Sequence, residues 1–386
     1  MNTRPPIESA SSTVVLSITF NDDCSYFAVG LNTGFCIFHA ESCALQKTRD
    51  FNAGVGLVQM MGKSQYLGLV GGGKQPKFAN NKLILWDDGK TKSSLEISAL
   101  TPVRGAQVSK ERIVVALQNS IRVYKFEKPI NLLAAYETAN NPWGLCCLSP
   151  RRLAFPGRTA GHVQLVEIAS GNVSIIPAHS SAIRAIQLSP DGELLATASE
   201  TGTLIRVFST SSCGRIAELR RGIDPATIFS LAFNPSGTML ACTSDKFTLH
   251  IFDIPHPKKG GADRPPSSRK TDGVAGSLDV NDGKGKWGIL SKIPLMPRMF
   301  SDVYSFTSCP FEAGEEPLTG GLPVSETTTL GTSRPAKGVI GWLNDTTLLV
   351  VGAGKDARWE KFAVQDGQDG KRVVVREGWK RYLAGT

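Results

Sequence analysis

One repeat constrains this chain more than any other feature. Seven times, an apolar run such as "YFAVG", "RIVVAL", "ELLATAS" or "LLVVGAG" is followed by a short strand-like ending. These endings are "FCIFHA" (35–40), "KLILWDD" (82–88), "IRVYKFE" (121–127), "VQLVEIA" (163–169), "LIRVFST" (204–210), "LHIFDIP" (249–255) and "RWEKFAV" (358–364). The period is about 40–45 residues, the spacing of a propeller blade built from a four-stranded sheet. Alternation of period two, with turn signals such as "SPDG" and "NPSG" and no long helical period, supports strands throughout. A blade with two apolar faces is not buried alone, so the units must stack radially and share their cores. The expected fold is all-β: a seven-bladed, WD-repeat-like β-propeller with two long loop insertions near blades 6 and 7.

The boundaries follow from where the period breaks. Residues 1–12 read as an N-terminal tail and 13–383 as a single propeller. Between "LHIFDIP" and "RWEKFAV" lie two loop insertions, residues 256–299, rich in Pro, Gly, Ser and Lys, and residues 309–337. The strand-like "SDVYSFTS" (301–308) between them is expected to finish the sixth blade, and "KRVVVREGWKRYL" (371–383) to supply the outer strand of the seventh.

Composition narrows the function. The 43 Lys and Arg against 34 Asp and Glu give a net charge of +9, which favours an anionic partner. No platform of interleaved aromatic and basic residues is visible, which counts against nucleic acid. The eight cysteines form no C-x-x-C, so buried free thiols in a reducing compartment are expected rather than a zinc or redox site. No stretch approaches the roughly 18 apolar residues of a spanning helix, so a membrane would be met at its surface. The five histidines cluster with no nucleophile or ligand set, and neither an enzyme nor a metal or cofactor is expected. "VGGGKQPK" (70–77) lacks the G-K-[ST] ending and the following helix of a phosphate loop, and reads as a blade turn.

The sharpest local feature is "LRRG" (219–222). Neighbouring residues on an extended chain point to opposite sides. Arg220 and Arg221 are therefore either a solvated pair or the walls of two different pockets. Hydroxyls and a basic group recur at matching places on both sides: Ser199, Thr201, Thr203 and Arg206 in the fifth blade, Thr243, Ser244, Lys246 and Thr248 in the sixth. A phosphate monoester wants charge-assisted, bidentate donors together with hydroxyls. Two phosphate sites on one rim would follow.

With "AH" (178–179), "ATASETGTLIRVF" (196–208), "CTSDKFTLHIF" (242–252), "LVGGGKQPKFANNKLILWDD" (69–88) and "LAFPGRTAGHVQLVEI" (153–168), the "LRRG" motif resembles the PROPPIN family over roughly residues 13–383. These are seven-bladed propellers that bind phosphoinositides through an (F/L)-R-R-G motif. The resemblance implies a non-enzymatic effector of phosphatidylinositol 3-phosphate and the 3,5-bisphosphate that recruits autophagy machinery. It would be a cytoplasmic monomer, peripherally attached to autophagosomal precursor, endosomal or vacuolar membranes. It implies a first site of His179, Ser199, Thr203, Arg206 and Arg220, with Arg184 nearby. The implied second site is Arg221, Ser230, Thr243, Ser244, Lys246, Thr248 and His250. Phe247 departs from the glycine usual there, so its ring is expected to reshape the second pocket. The family's membrane-inserting loop falls on "GKGKWGILSKIPLMPRMF" (283–300), where Trp287, Ile289, Leu290, Ile293, Leu295 and Met296 mix with Lys284, Lys286, Lys292 and Arg298. Apolar anchors between cations suit a bilayer interface. The resemblance also gives the Lys74–Asn81 stretch a use, since the surface around blades 2 and 3 is where the family engages the large lipid-transfer protein of autophagosome growth. The competing reading is a propeller scaffold that binds protein partners only, with the arginine pair as a peptide-docking feature.

Overall fold

A computed structural model describes residues 13–255, 303–312, 337–353, 357–367 and 369–383. The expected hydrophobic loop, with Trp287, Ile289, Leu290, Ile293, Leu295 and Met296, lies outside the described residues, as does most of the second insertion.

Seven antiparallel sheets follow one another along the chain as the blades of a propeller. Blade 1 spans residues 15–50, blade 2 55–98, blade 3 105–137, blade 4 147–177 and blade 5 183–220. Blade 6 takes 228–253 and 307–310, and blade 7 runs from 339 to 381. In each, the first strand lies on the inner ring, and inner strands of successive blades meet.

The two-residue period explains why both faces of a blade disappear from solvent. In blade 5, Ala196, Ala198, Ile205 and Leu219 pack against Ile228, Leu231 and Phe252 of blade 6. From its other face Ile186, Leu195 and Phe208 pack against Val163, Leu165 and Ile176 of blade 4. The core is thus a set of layers between blades, and each burial of a large apolar side chain contributes about 1.5–3 kcal/mol. Outermost strands such as Leu45–Asp50 stay largely exposed.

Blades 1 and 7 share no strand, so side chains close the ring. The Trp359 indole N–H donates to the Ala40 carbonyl at 2.7 Å. Tyr382 lies edge-on to Phe27 and Phe38, and its hydroxyl donates to the Gly352 carbonyl at 2.8 Å. Arg372–Arg381 is the outer strand of blade 7, where the sequence put it.

The described part of the expected strand 301–308, residues 303–308, does not form one strand. Val303–Tyr304 pairs in parallel with the outer strand of blade 5, and Thr307–Pro310 then closes blade 6. Residues 309 and 310, expected in a loop, belong to that closing strand. The segment 70–77 finishes one strand at Gly71 and then runs into the turn, as read: a Cβ on Gly71 would meet the Phe78 carbonyl oxygen at 1.7 Å, and Gly73 has φ +78°.

Candidate functional site

Antiparallel order brings four connections to one edge of the ring: residues 177–183 between blades 4 and 5, 199–204 within blade 5, 220–228 between blades 5 and 6, and 244–248 within blade 6. Their backbones are stitched together. Glu200 N–H donates to Ala182 O, Arg221 N–H to Thr203 O, Ala226 N–H to Thr201 O, and Asp245 N–H to Thr227 O, all at 2.9–3.1 Å. Gly202 sits at the tightest point, with φ +61° and its missing Cβ only 1.7 Å from the Ala226 carbonyl oxygen.

The arginine pair straddles blade 5. Leu219 faces the layer shared with blade 6. By alternation, Arg220 faces blade 4 and Arg221 faces blade 6. The structure therefore separates the two guanidinium groups onto opposite sides of one sheet edge.

On the blade 4 side, Thr197, Arg206 and Glu218 stand in one cross-strand row. Arg206 is held firmly: its Nε donates to Glu218 Oε2 at 2.7 Å and Nη1 to the Ala178 carbonyl at 2.6 Å. Arg215 shares the same Glu218 oxygen at 2.7 Å. His179 Nε2 lies 3.0 Å from Thr197 Oγ1. Burial, and secondly the charge of Arg206, pulls the His179 pKa down to about 4, so the ring is neutral near pH 7. Buried Ser199 bonds to Thr201 across 2.9 Å. Arg220, half-buried at the strand end, is two residues from Glu218 and on the same face. His179, Ser199, Arg206 and Arg220 are thus brought to one side. Thr203 joins the edge through its backbone carbonyl.

On the blade 6 side, Arg221 is buried; its Nε donates to Gly202 O at 2.8 Å, and Nη2 donates to Asp224 O. His250 and Ser244 share its layer, since their neighbours Phe252 and Cys242 pack into the blade 5–6 core. The His250 pKa is lowered to about 4, by burial first and by Arg221 second. Its Nδ1 lies 3.1 Å from Ser305 Oγ. Thr248 shares the face of His250, and Lys246 is exposed at the turn.

Two assignments of the second site fall elsewhere. Thr243 and Ser230 face blade 7: Thr243 Oγ1 donates to Gly338 O at 2.6 Å, and Ser230 Oγ accepts from Ile340 N–H at 3.2 Å. Thr243 and Ser244 are adjacent on a strand, so both cannot serve one pocket. Arg184 is the extra residue of a bulge on the inner strand, its guanidinium 3.8 Å from the centre of the Trp143 ring. Phe247 takes φ +53°, the left-handed conformation that explains the glycine expected there. Its ring packs on Phe229 and Phe311, which belong to the blade 6–7 layer, rather than into the layer of Arg221.

Sequence reasoning missed Glu218, Thr197 and Arg215. Glu218 was legible in "AELRRG", two residues before Arg220 and hence on its face. A second concavity, of about 460 Å³, lies between the outer parts of blades 2 and 3, lined by Tyr66, Leu95 and Phe126, with Lys90, Lys92 and Lys128 outnumbering Asp87 and Glu127.

Residues 14–278 match the PROPPIN family. The chain is 51% identical to SVP1-like protein 2 of Neurospora crassa over 99% of both chains. In fold it is similar to Hsv2 of Kluyveromyces marxianus, with a TM-score of 0.73 at 21% identity over 96% of this chain and 100% of that one. It is also similar to KlAtg21, solved in complex with the coiled coil of AgAtg16, with a TM-score of 0.63 at 19% identity over 95% and 99% of the two chains.

Proposed function

The chain belongs to the PROPPIN family of phosphoinositide-binding propellers of autophagy, and we propose that it is a non-enzymatic effector of phosphatidylinositol 3-phosphate and the 3,5-bisphosphate that recruits autophagy machinery. Its setting would be peripheral, on autophagosomal precursor, endosomal or vacuolar membranes. The observation that carries this reading is the arginine pair: Arg220 and Arg221 leave opposite faces of blade 5 at one edge, Arg220 on the face that also carries Arg206 next to partly buried His179, and Arg221 next to partly buried His250.

The first headgroup would be taken by Arg220, Arg206, His179, Ser199 and Thr203. The second would be taken by Arg221, His250, Ser244, Thr248 and Lys246. A phosphate dianion adds acceptor oxygens to a region rich in N–H and O–H donors, where charge-assisted bonds are strongest. The hydrophobic loop with Trp287, Ile289, Leu290, Ile293, Leu295 and Met296 would supply the membrane anchor, supported by its mixture of apolar and basic residues. For the protein partner, the lysine-rimmed groove between blades 2 and 3 favours an acidic segment with apolar anchors, such as one from the lipid-transfer protein of autophagosome growth.

Liposome co-sedimentation tests the reading. Wild type should bind vesicles carrying either 3-phosphorylated lipid and ignore phosphatidylserine vesicles of matched charge. Arg220→Thr and Arg221→Thr should each weaken binding, and the double variant should lose it. Equal binding of wild type and double variant to all anionic vesicles would leave the protein-only scaffold.

A further inference from the structure

The segment that follows the first insertion does something its sequence position does not suggest. Val303 and Tyr304 add a parallel strand to the outer edge of blade 5, Val303 opposite Leu219 and Tyr304 opposite Arg220. The edge of a sheet offers unpaired N–H and C=O groups, and here chain that belongs by sequence to blade 6 covers it. The next residues fasten this strap to two further blades. Ser305 Oγ meets His250 Nδ1 at 3.1 Å, and Phe306 N–H donates to Ile251 O at 3.0 Å. The Arg372 guanidinium lies 4.3 Å from the centre of the Phe306 ring, and Thr307 Oγ1 accepts from Val374 N–H at 2.9 Å.

Residues paired across adjacent strands carry their side chains to the same face. Tyr304 therefore extends the row of Leu204 and Arg220 outward, on the blade 4 side, and it is 47% exposed. A tyrosine here places an apolar ring with a polar tip directly outside a guanidinium, the character that suits the boundary between water and lipid. Because its backbone is already paired, the ring needs no ordering on contact.

We propose that Tyr304 is a further binding residue of the first site: it flanks Arg220 and rests on the lipid surface from which a phosphate monoester headgroup rises. This rests on the phosphoinositide reading of the rim given above.

The test compares wild type, Tyr304→Ser, Tyr304→Trp and Arg220→Thr on two probes. One is phosphatidylcholine vesicles containing phosphatidylinositol 3-phosphate; the other is soluble inositol 1,3-bisphosphate. Tyr304→Ser should bind the vesicles about five-fold more weakly, and the soluble headgroup within about two-fold of wild type. Tyr304→Trp should keep vesicle binding, which separates loss of an interfacial ring from loss of folding. Unchanged vesicle binding by Tyr304→Ser, with Arg220→Thr weakened, would overturn the assignment of Tyr304 and leave the rim reading standing. Loss of the soluble headgroup as well would overturn the surface role. No effect of Arg220→Thr on either probe would bring down the rim reading, and Tyr304 with it.

Discussion

Acidification probes both faces of the rim through their histidines. His179 and His250 each have a pKa of about 4 in the folded protein, against 6.5 for an ordinary histidine. Burial is the larger cause for both; Arg206 is the second for His179 and Arg221 for His250. The folded values lie below the unfolded one, so between them the unfolded chain binds more protons. Stability from these rings is full above about pH 6.5, falls as the pH drops through that window, and levels off below about pH 4. At pH 5 the linkage relation gives about 2 kcal/mol for each ring. Both rings keep partial contact with water, so screening reduces the sum to about 2–3 kcal/mol for the pair. The assay is urea unfolding at pH 7 and pH 5 for wild type and His179→Gln/His250→Asn. Glutamine mimics the reach of the Nε2 that meets Thr197, and asparagine that of the Nδ1 that meets Ser305. Wild type should lose about 2–3 kcal/mol more than the variant between the two pH values. Parallel losses would refute the claim that these two rings are held neutral by burial and their arginines.

The arginines should differ in stability as well as in ligand. Arg221→Ala abandons two backbone carbonyls in a buried setting and should cost about 2–3 kcal/mol, whereas Arg220→Ala at the half-buried strand end should cost about 1 or less. Thermal melts with equal losses would contradict the facing assigned to them. Gly202→Ala forces a Cβ to within 1.7 Å of the Ala226 carbonyl oxygen at φ +61° and should lower stability by more than about 2 kcal/mol, read as the urea midpoint. Phe247→Gly should change binding to phosphatidylinositol 3,5-bisphosphate vesicles by less than about two-fold, because the ring packs with Phe229 and Phe311. A large gain would show that the ring obstructs the second site. Glu218→Gln removes the carboxylate that competes for Arg206 and Arg215 and should tighten first-site binding about three-fold. Weaker binding would instead make Glu218 the group that aims Arg206.

The fold was legible because its signal is periodic. Each of the seven quoted endings coincides with the third strand of a blade, from Gly34–His39 to Arg358–Asp366. Alternation also makes the opposite facing of Arg220 and Arg221 readable, since no extended chain points neighbours the same way. The same rule separates Thr243 from Ser244, yet a shared motif of hydroxyls hid it. Ser230 was harder, because a bulge between Ile228 and Ser230 shifts the register and no local residue announces it. The strap at 303–304 left no signal at all: "SDVYSFTS" has the pattern of one strand, and only the parallel pairing with Leu219 and Arg220 splits it. Phe247 was read by size, whereas its φ of +53° and its aromatic neighbours decide where it goes.

The geometry of the pair favours a surface over a dissolved ligand. Adjacent arginines on one strand cannot converge on a single phosphate, so each site has at most one of them, and neither can replace the other. Both nevertheless leave the same edge of the same sheet, at neighbouring positions along it. The turns beneath them are stitched by backbone hydrogen bonds, so the offset between the sites is fixed. A dissolved headgroup engages either site separately and gains nothing from that offset. If the rim takes headgroups as proposed, those confined to a membrane would meet both sites in one approach, and the second contact would form at the high effective concentration set by the first. On the proposed reading, two modest sites on a rigid rim would become one selective grip on a membrane dense in the lipid, and a weak one on a membrane where it is sparse.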